Sequence, residues 1–220
     1  MERHGLDLAV TMYWVRAELV VDRLSWRKQM STLPAPYRTS KNVLWLVDGN
    51  HPWYDALTWQ DQLMGNITVK IFSLHDVVKE CQRCAIGNSR PVDYLVLFGH
   101  GTGGYQSAGA GRHYEENGVR SMLYVGVTRP GQSHLMGNAE ATLGGLNGVL
   151  SDSAEILFTG CKVGDGGQGS GLLTTVSTIL NGRSVSAFED TVYWWSGLMI
   201  GSLKTANGEN ISSTYSCISI

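Results

Sequence analysis

The sequence predicts a three-layer α/β domain with a mainly parallel central sheet, preceded by an N-terminal helix and closed by a β-rich tail. Three observations predict it. From residue 43 onward, short runs of Val, Ile, Leu and Phe alternate with stretches of helical periodicity, the pattern of parallel strands joined by crossover helices and buried on both faces. The chain has 220 residues, 43% hydrophobic and 16% charged, which is enough for one sizeable core or two small ones and too apolar for disorder. Its 27 glycines, well above the ~7% average usage, concentrate between Gly99 and Gly171 and mark loops that bend sharply.

Taken in order, residues 6–30 set Leu6, Val10, Tyr13, Ala17, Val20, Val21 and Leu24 at helical spacing, with Arg16, Arg23, Arg27 and Lys28 on other faces. Pro34 and Pro36 end that amphipathic helix and begin a linker. Residues 1–42 are therefore one unit and residues 43–220 the domain proper. The first unit carries seven Lys or Arg against four acids, for +3, and the rest of the chain carries −5. Such a helix packs on its own domain, or else recruits a partner protein or lies on a membrane surface. NVLWLVDGN is the first strand, ending at Asp48 and Gly49; a helix spans Ala56 to Met64; ITVKIFSL is the second strand; and a helix spans His75 to Ala85. VDYLVLFGHG is the third strand, stopping at a Gly-His-Gly turn.

Residues 101–134 then hold eight glycines and at most one short strand, Ser121 to Val127, which makes them a long surface excursion. Its arginines are Arg112, Arg120 and Arg129. A helix at Met136 to Leu150, the strand AEILFTGC, a helix at Gly169 to Leu180 and the strand RSVSAFE bring the sheet to five strands or more. The tail from Thr191 reads as a hairpin or edge strands.

Composition removes several function classes. A net charge of −2 and a pI near 6.3 give no global basic field for nucleic acid. Apolar stretches such as Leu8 to Val15 and Tyr94 to Phe98 fall well short of the ~20 residues of a membrane helix. No secretory signal is recognisable, so the expected compartment is cytoplasmic, with reduced thiols. Cys81 and Cys84 have metal-ligand spacing, but one CxxC without a second pair reads as helix thiols, and neither a zinc site nor a cofactor is expected. His51, His75, His113 and His134 show no ligand spacing.

Two strands end alike, DYLVLFGH in Gly99-His100 and AEILFTGC in Gly160-Cys161. The carboxyl ends of parallel strands share one rim, where ligands bind, so His100 and Cys161 face one another if the strands are neighbours. A cysteine nucleophile works as its thiolate, and a nearby imidazole supplies the proton chemistry. The flanking glycines let backbone N–H groups approach a developing oxyanion. Taken singly, a buried cysteine is an ordinary small hydrophobe and a lone histidine a structural residue.

Two other classes compete. Gly164 to Gly169 satisfies G-x-G-x-x-G, with Glu189 some 20 residues on, as in a dinucleotide site. However, the preceding strand ends several residues too early, and His100 is left without a role. The other competitor is a non-catalytic interaction module in which Cys161 is inert.

In NVLWLVDGN, DYLVLFGHGTGG and AEILFTGCKVGDGGQGSGLLTTVSTILNGRSVSAF, over residues 43–190, the sequence resembles the caspase-like (clan CD) cysteine peptidases, the group of metacaspases, clostripain and gingipain. It is most similar to a bacterial caspase-like domain of unknown function found in large surface proteins. The resemblance implies a caspase-like fold and an endopeptidase (a thiol protease, hence a hydrolase) without cofactor or metal, acting on a protein or peptide substrate. Cys161 would attack the scissile carbonyl and His100 would handle the leaving-group proton. The backbone N–H groups of Gly101 and Cys161 would be the oxyanion donors. Asp48 matches the place where several relatives keep an acid that selects Arg or Lys before the cut; by itself it reads as a turn-capping residue before Gly49. The sequence departs from the family in its longer 101–134 excursion, whose Arg112, Arg120 and Arg129 are candidate self-cleavage points if the pocket accepts arginine, and in TVYWWSG after the fifth strand.

Overall fold

The structure is a computed structural model, and it describes residues 41–49, 67–108, 115–116, 119–120, 122–129, 132–135, 139–195 and 198–219. The N-terminal helix, the linker and the Ala56 to Met64 helix expected above lie outside the described residues.

Five parallel strands form the centre of the domain, in the order β2 (Ile67–Ile71), β1 (Val43–Asp48), β3 (Val92–Phe98), β10 (Leu150–Phe158) and β11 (Ser184–Phe188). The antiparallel tail extends this sheet. β13 (Leu198–Asn207) pairs along its second half with β11, along its first with β12 (Tyr193–Trp195), and along its whole length with β14 (Asn210–Ser219). The result is a mixed α/β fold around one eight-stranded, mainly parallel sheet.

Three helices connect the parallel strands: α1 (Leu74–Gly87), α2 (Ala139–Gly144), which continues as a 3₁₀ turn over Gly145–Gly148, and α3 (Gly166–Ile179). Ser73 caps α1: its hydroxyl accepts the Asp76 N–H at 3.2 Å, and the Asp76 carboxylate reaches back to the residue before the cap, accepting the Phe72 N–H at 3.0 Å. The connections β2 to β3, β3 to β10 and β10 to β11 all step in one direction across the sheet. Right-handed crossovers therefore put α1, α2 and α3 on the same face. There Leu44, Leu46, Leu95, Leu97, Ile156 and Phe158 of the strands share one core with Leu74, Val77, Leu143, Leu172 and Val176 of the helices. The alternate strand positions Trp45, Val96, Leu157 and Phe188 are buried together on the other face. Burial on both faces is why these strands read as unbroken apolar runs.

The excursion corrects the sequence reading. Instead of at most one strand it contains β4 (Gly101–Thr102), β5 (Tyr105–Ser107), β6 (Glu115–Glu116), β7 (Val119–Arg120), β8 (Met122–Arg129) and β9 (Gln132–Leu135). β4, β5, β8 and β9 form a small antiparallel sheet, and β6 pairs with β7. Arg120 and Arg129 thus sit in paired strands, while Arg112 lies outside the described residues. The expected Met136 to Leu150 helix is also shorter: the Gly144, Gly145 and Gly148 backbone tightens into the 3₁₀ turn, and Leu150 already opens β10.

Candidate active site

The strand order reverses at β1, which lies between β2 and β3. The crevice between the carboxyl ends of β1 and β3 is therefore the topological switch point, the place where open α/β sheets bind ligands. His100 stands at that crevice. Cys161 stands one strand over, because β3 and β10 pair in register, Leu97 with Phe158, and the Thr159 N–H extends the ladder to the Leu97 carbonyl at 3.0 Å.

Beyond the ladder the two turns touch. A Cβ placed on Gly160 would lie 2.9 Å from the Gly101 Cα and 2.8 Å from Val163 Cγ2, so only glycine backbones allow this approach. His100 and Cys161 each stand one residue, about 3.8 Å of chain, from that contact. His100 is exposed and Cys161 is partly exposed. The structure thus brings together the two residues that the sequence singled out.

Each turn is held in a definite shape. The His100 N–H donates to Ser107 Oγ at 2.9 Å, the Ser107 N–H donates to the His100 carbonyl at 2.8 Å, and the Ser107 hydroxyl donates to Asp48 Oδ2 at 2.6 Å. This makes 100 and 107 a bonded pair of the antiparallel β4–β5 ladder. Bonded and non-bonded pairs alternate, so the next pair, Gly101 and Gln106, is non-bonded, and the Gly101 N–H points away from β5. On the cysteine side, the N–H groups of Lys162, Gly164 and Asp165 are committed to the carbonyls of Asp190, Phe188 and Lys162. The Cys161 N–H has no such backbone acceptor among the described residues. Lys162 has φ +59°, a left-handed conformation costly for a residue with a Cβ, directly after the candidate nucleophile.

Asp48 is at a strand end on this rim but only 1% exposed, with its carboxylate engaged by Ser107. It also helps to push the Tyr105 hydroxyl up from its ordinary value, after the larger effect of burial. Ser107 and Gln106 were not singled out from sequence. A usable signal was present, since Gly103-Gly104 between Thr102 and Tyr105 is a two-residue hairpin turn, and Gly104 has φ +73°.

The two ends of the glycine run after Cys161, Gly164 and Gly169, are buried, while Gly166 to Gln168 are exposed. The Gly164 N–H bonds Phe188, the Gly169 N–H bonds Asp165, and a Cβ on Gly104 of the β4–β5 turn would lie 2.8 Å from the Gln168 carbonyl oxygen in the first turn of α3. Glu189 faces Lys204 at 3.0 Å and accepts the Ser202 hydroxyl at 2.7 Å. The Ser202 hydrogen bond is the main cause that holds the Glu189 carboxyl below its ordinary range; Lys204 adds to it and burial opposes it. A lowered folded-state value contributes stability above the ordinary carboxylate range, near pH 4.3, and that contribution is lost as the pH falls through the folded value. Ser202→Ala is therefore expected to be less stable than wild type at pH 7, with the gap shrinking at pH 3. Urea unfolding at both pH values checks this, and an equal gap at both would refute the assignment.

Cys81 and Cys84 point into the core under α1, and burial pushes both thiols up. Among the described residues no group of three or more His, Cys, Asp or Glu is placed to hold a metal ion. None of the described helices is long and apolar enough to cross a membrane. Asp93 accepts the Asn42 N–H at 2.7 Å and fixes the entry to β1.

No protein-family model and no curated protein matches this chain. Any functional reading therefore rests on the rim itself.

Proposed function

We propose that the chain is a cysteine endopeptidase of the caspase-like kind, acting through Cys161 and His100. The observation that carries this reading is the contact of Gly101 with Gly160 beyond the carboxyl ends of β3 and β10, one strand over from the switch point, which sets His100 and Cys161 on adjoining turns of neighbouring parallel strands. In the proposed reaction, the Cys161 thiolate attacks the scissile carbonyl carbon. The resulting oxyanion takes the N–H groups of Cys161 and Gly101, and His100 passes a proton to the departing amine. Water, deprotonated by His100, then releases the acyl group from sulfur. The outward Gly101 N–H and the strained backbone beside Cys161 support the same assignment. The nucleotide alternative is weaker on two counts: β10 ends at Phe158, several residues before Gly164, and His100 is left without a role. A preference for Arg or Lys before the cut rests on Asp48, which meets Ser107 beneath the rim, so profiling of cleaved bonds is the measurement that assigns it.

The test is the rate of Cys161 alkylation by iodoacetamide, read by peptide mass spectrometry, in wild type and His100→Ala. At neutral pH the variant is expected to react at least about tenfold more slowly, because the imidazole no longer stabilises the thiolate. Cys81 and Cys84, buried, serve as unreactive internal references. A Cys161 that reacts only after denaturation, or equally in both proteins, would assign the chain to the interaction modules instead.

A further inference from the structure

Gln106 is fully buried on β5, between the two turns of the candidate site. Its Oε1 accepts the Gly160 N–H at 2.9 Å, and its Nε2 donates to the Ser107 carbonyl at 2.9 Å. One amide therefore touches both sides of the site. Gly160 immediately precedes Cys161, and Ser107 grips His100 through both its hydroxyl and its backbone N–H. The β3–β10 ladder ends at Thr159, so the Gly160 N–H is the first one beyond it, and the close approach of Gly101 and Val163 walls it off from water. A buried N–H in that position needs an acceptor from elsewhere in the fold, and Gln106 supplies it from a third segment of chain.

We propose that Gln106 is a positioning residue that sets the separation of His100 from Cys161, tying the β4–β5 hairpin and the cysteine turn into one rigid unit. The inference rests on the peptidase reading above. The residue type follows from the two contacts. The site needs an acceptor toward Gly160 and a donor toward Ser107 on one planar group. Glutamate would set a carboxylate oxygen against the Ser107 carbonyl, asparagine is one methylene short, and an apolar side chain leaves both backbone groups unpaired.

A merely structural role would lower the melting temperature and leave the chemistry of the folded protein alone. A positioning role changes how strongly Cys161 depends on His100. That dependence is read as the ratio of alkylation rates at neutral pH with and without His100→Ala, in wild type, Gln106→Met and Gln106→Asn. Each variant is used in the temperature range where circular dichroism shows it folded. The wild-type ratio is expected to be tenfold or more, falling to about one to two in Gln106→Met with Cys161 still alkylated in the folded protein. Gln106→Asn, which keeps the amide and removes little volume, gives an intermediate ratio and decides the matter if the Met variant does not fold. A tenfold ratio that survives in the folded variants overturns the role of Gln106 and leaves the peptidase reading standing. A wild-type ratio near one overturns both, because His100 and Cys161 are then not coupled.

Discussion

Cys161→Ala is expected to abolish peptide-bond hydrolysis, by about 10⁴-fold or more, equivalent to ~5.5 kcal/mol of lost barrier lowering. The size of the effect follows from the proposed chemistry: without a nucleophile, only binding and the two oxyanion N–H groups remain. The fold should hardly notice, because Cys161 is partly exposed and lies in a turn outside the ladder. Removing one sulfur there opens no core cavity. Cys161→Ser should be nearly as inactive, since a hydroxyl is far less ionised than a thiol near neutral pH. The assay is digestion of an unfolded protein such as casein and of a mixed peptide library, with products read by mass spectrometry and melting temperatures compared in parallel. Equal cleavage by wild type and Cys161→Ala would mean that another group or a contaminant cuts the substrate. Cleavage lost together with the fold would mean that Cys161 is a packing residue.

The central sheet was legible in the sequence because its signal is local. β1 (VLWLVD), β3 (VDYLVLF) and β11 (SVSAF) are short, mainly apolar and bounded by turns, and each lies within the segment the pattern marked. His100 and Cys161 were legible for the same reason, since a glycine and a reactive side chain at a strand end are adjacent in the chain. The excursion was not legible, because its strands run mostly from two to four residues, are rich in Gly and polar side chains, and pair with one another instead of with the main sheet. Too few alternating positions exist there for a period to show. The support of the site was hidden for a different reason. Gln106 meets Gly160 across 54 residues and Ser107 meets Asp48 across 59, so their meaning appears only when the strands are set side by side. Asp48 shows both effects at once. Its place at a strand end was readable, but that its carboxylate turns to Ser107 beneath the rim depends on the hairpin that was not.

Arg183→Ala is expected to destabilise the domain by about 3–5 kcal/mol without changing the chemistry of the folded protein. Arg183 is only 6% exposed and joins the end of α3 to the start of β11. Its Nε donates to the Ser151 carbonyl at 2.7 Å. Its Nη1 donates to Asn147 Oδ1 at 2.7 Å and to the Leu180 carbonyl at 2.9 Å, and its Nη2 to the Leu150 carbonyl at 3.2 Å. These acceptors come from the 3₁₀ turn, the first residues of β10 and the end of α3, where helix carbonyls have no partner within the helix. Asp152 lies 3.7 Å away but is fully exposed, so the ion pair itself contributes little. What the guanidinium supplies is a planar fork of donors, which neither alanine nor a single ammonium can reproduce; Arg183→Lys should recover only a minor part of the loss. Urea unfolding measures the change, and a loss below about 1 kcal/mol would show that water rehydrates these carbonyls freely. Position makes the experiment useful beyond stability. Arg183 sits at the amino ends of β10 and β11, and Cys161 at the carboxyl end of β10, so the two are separated by the length of the sheet. At a temperature where the variant is fully folded, its Cys161 alkylation should still depend on His100 as in wild type. A variant that is strongly destabilised and yet coupled at the rim would show that the link between His100 and Cys161 is set locally, by the Gly101–Gly160 contact and the hairpin behind it, and not by the overall stability of the sheet.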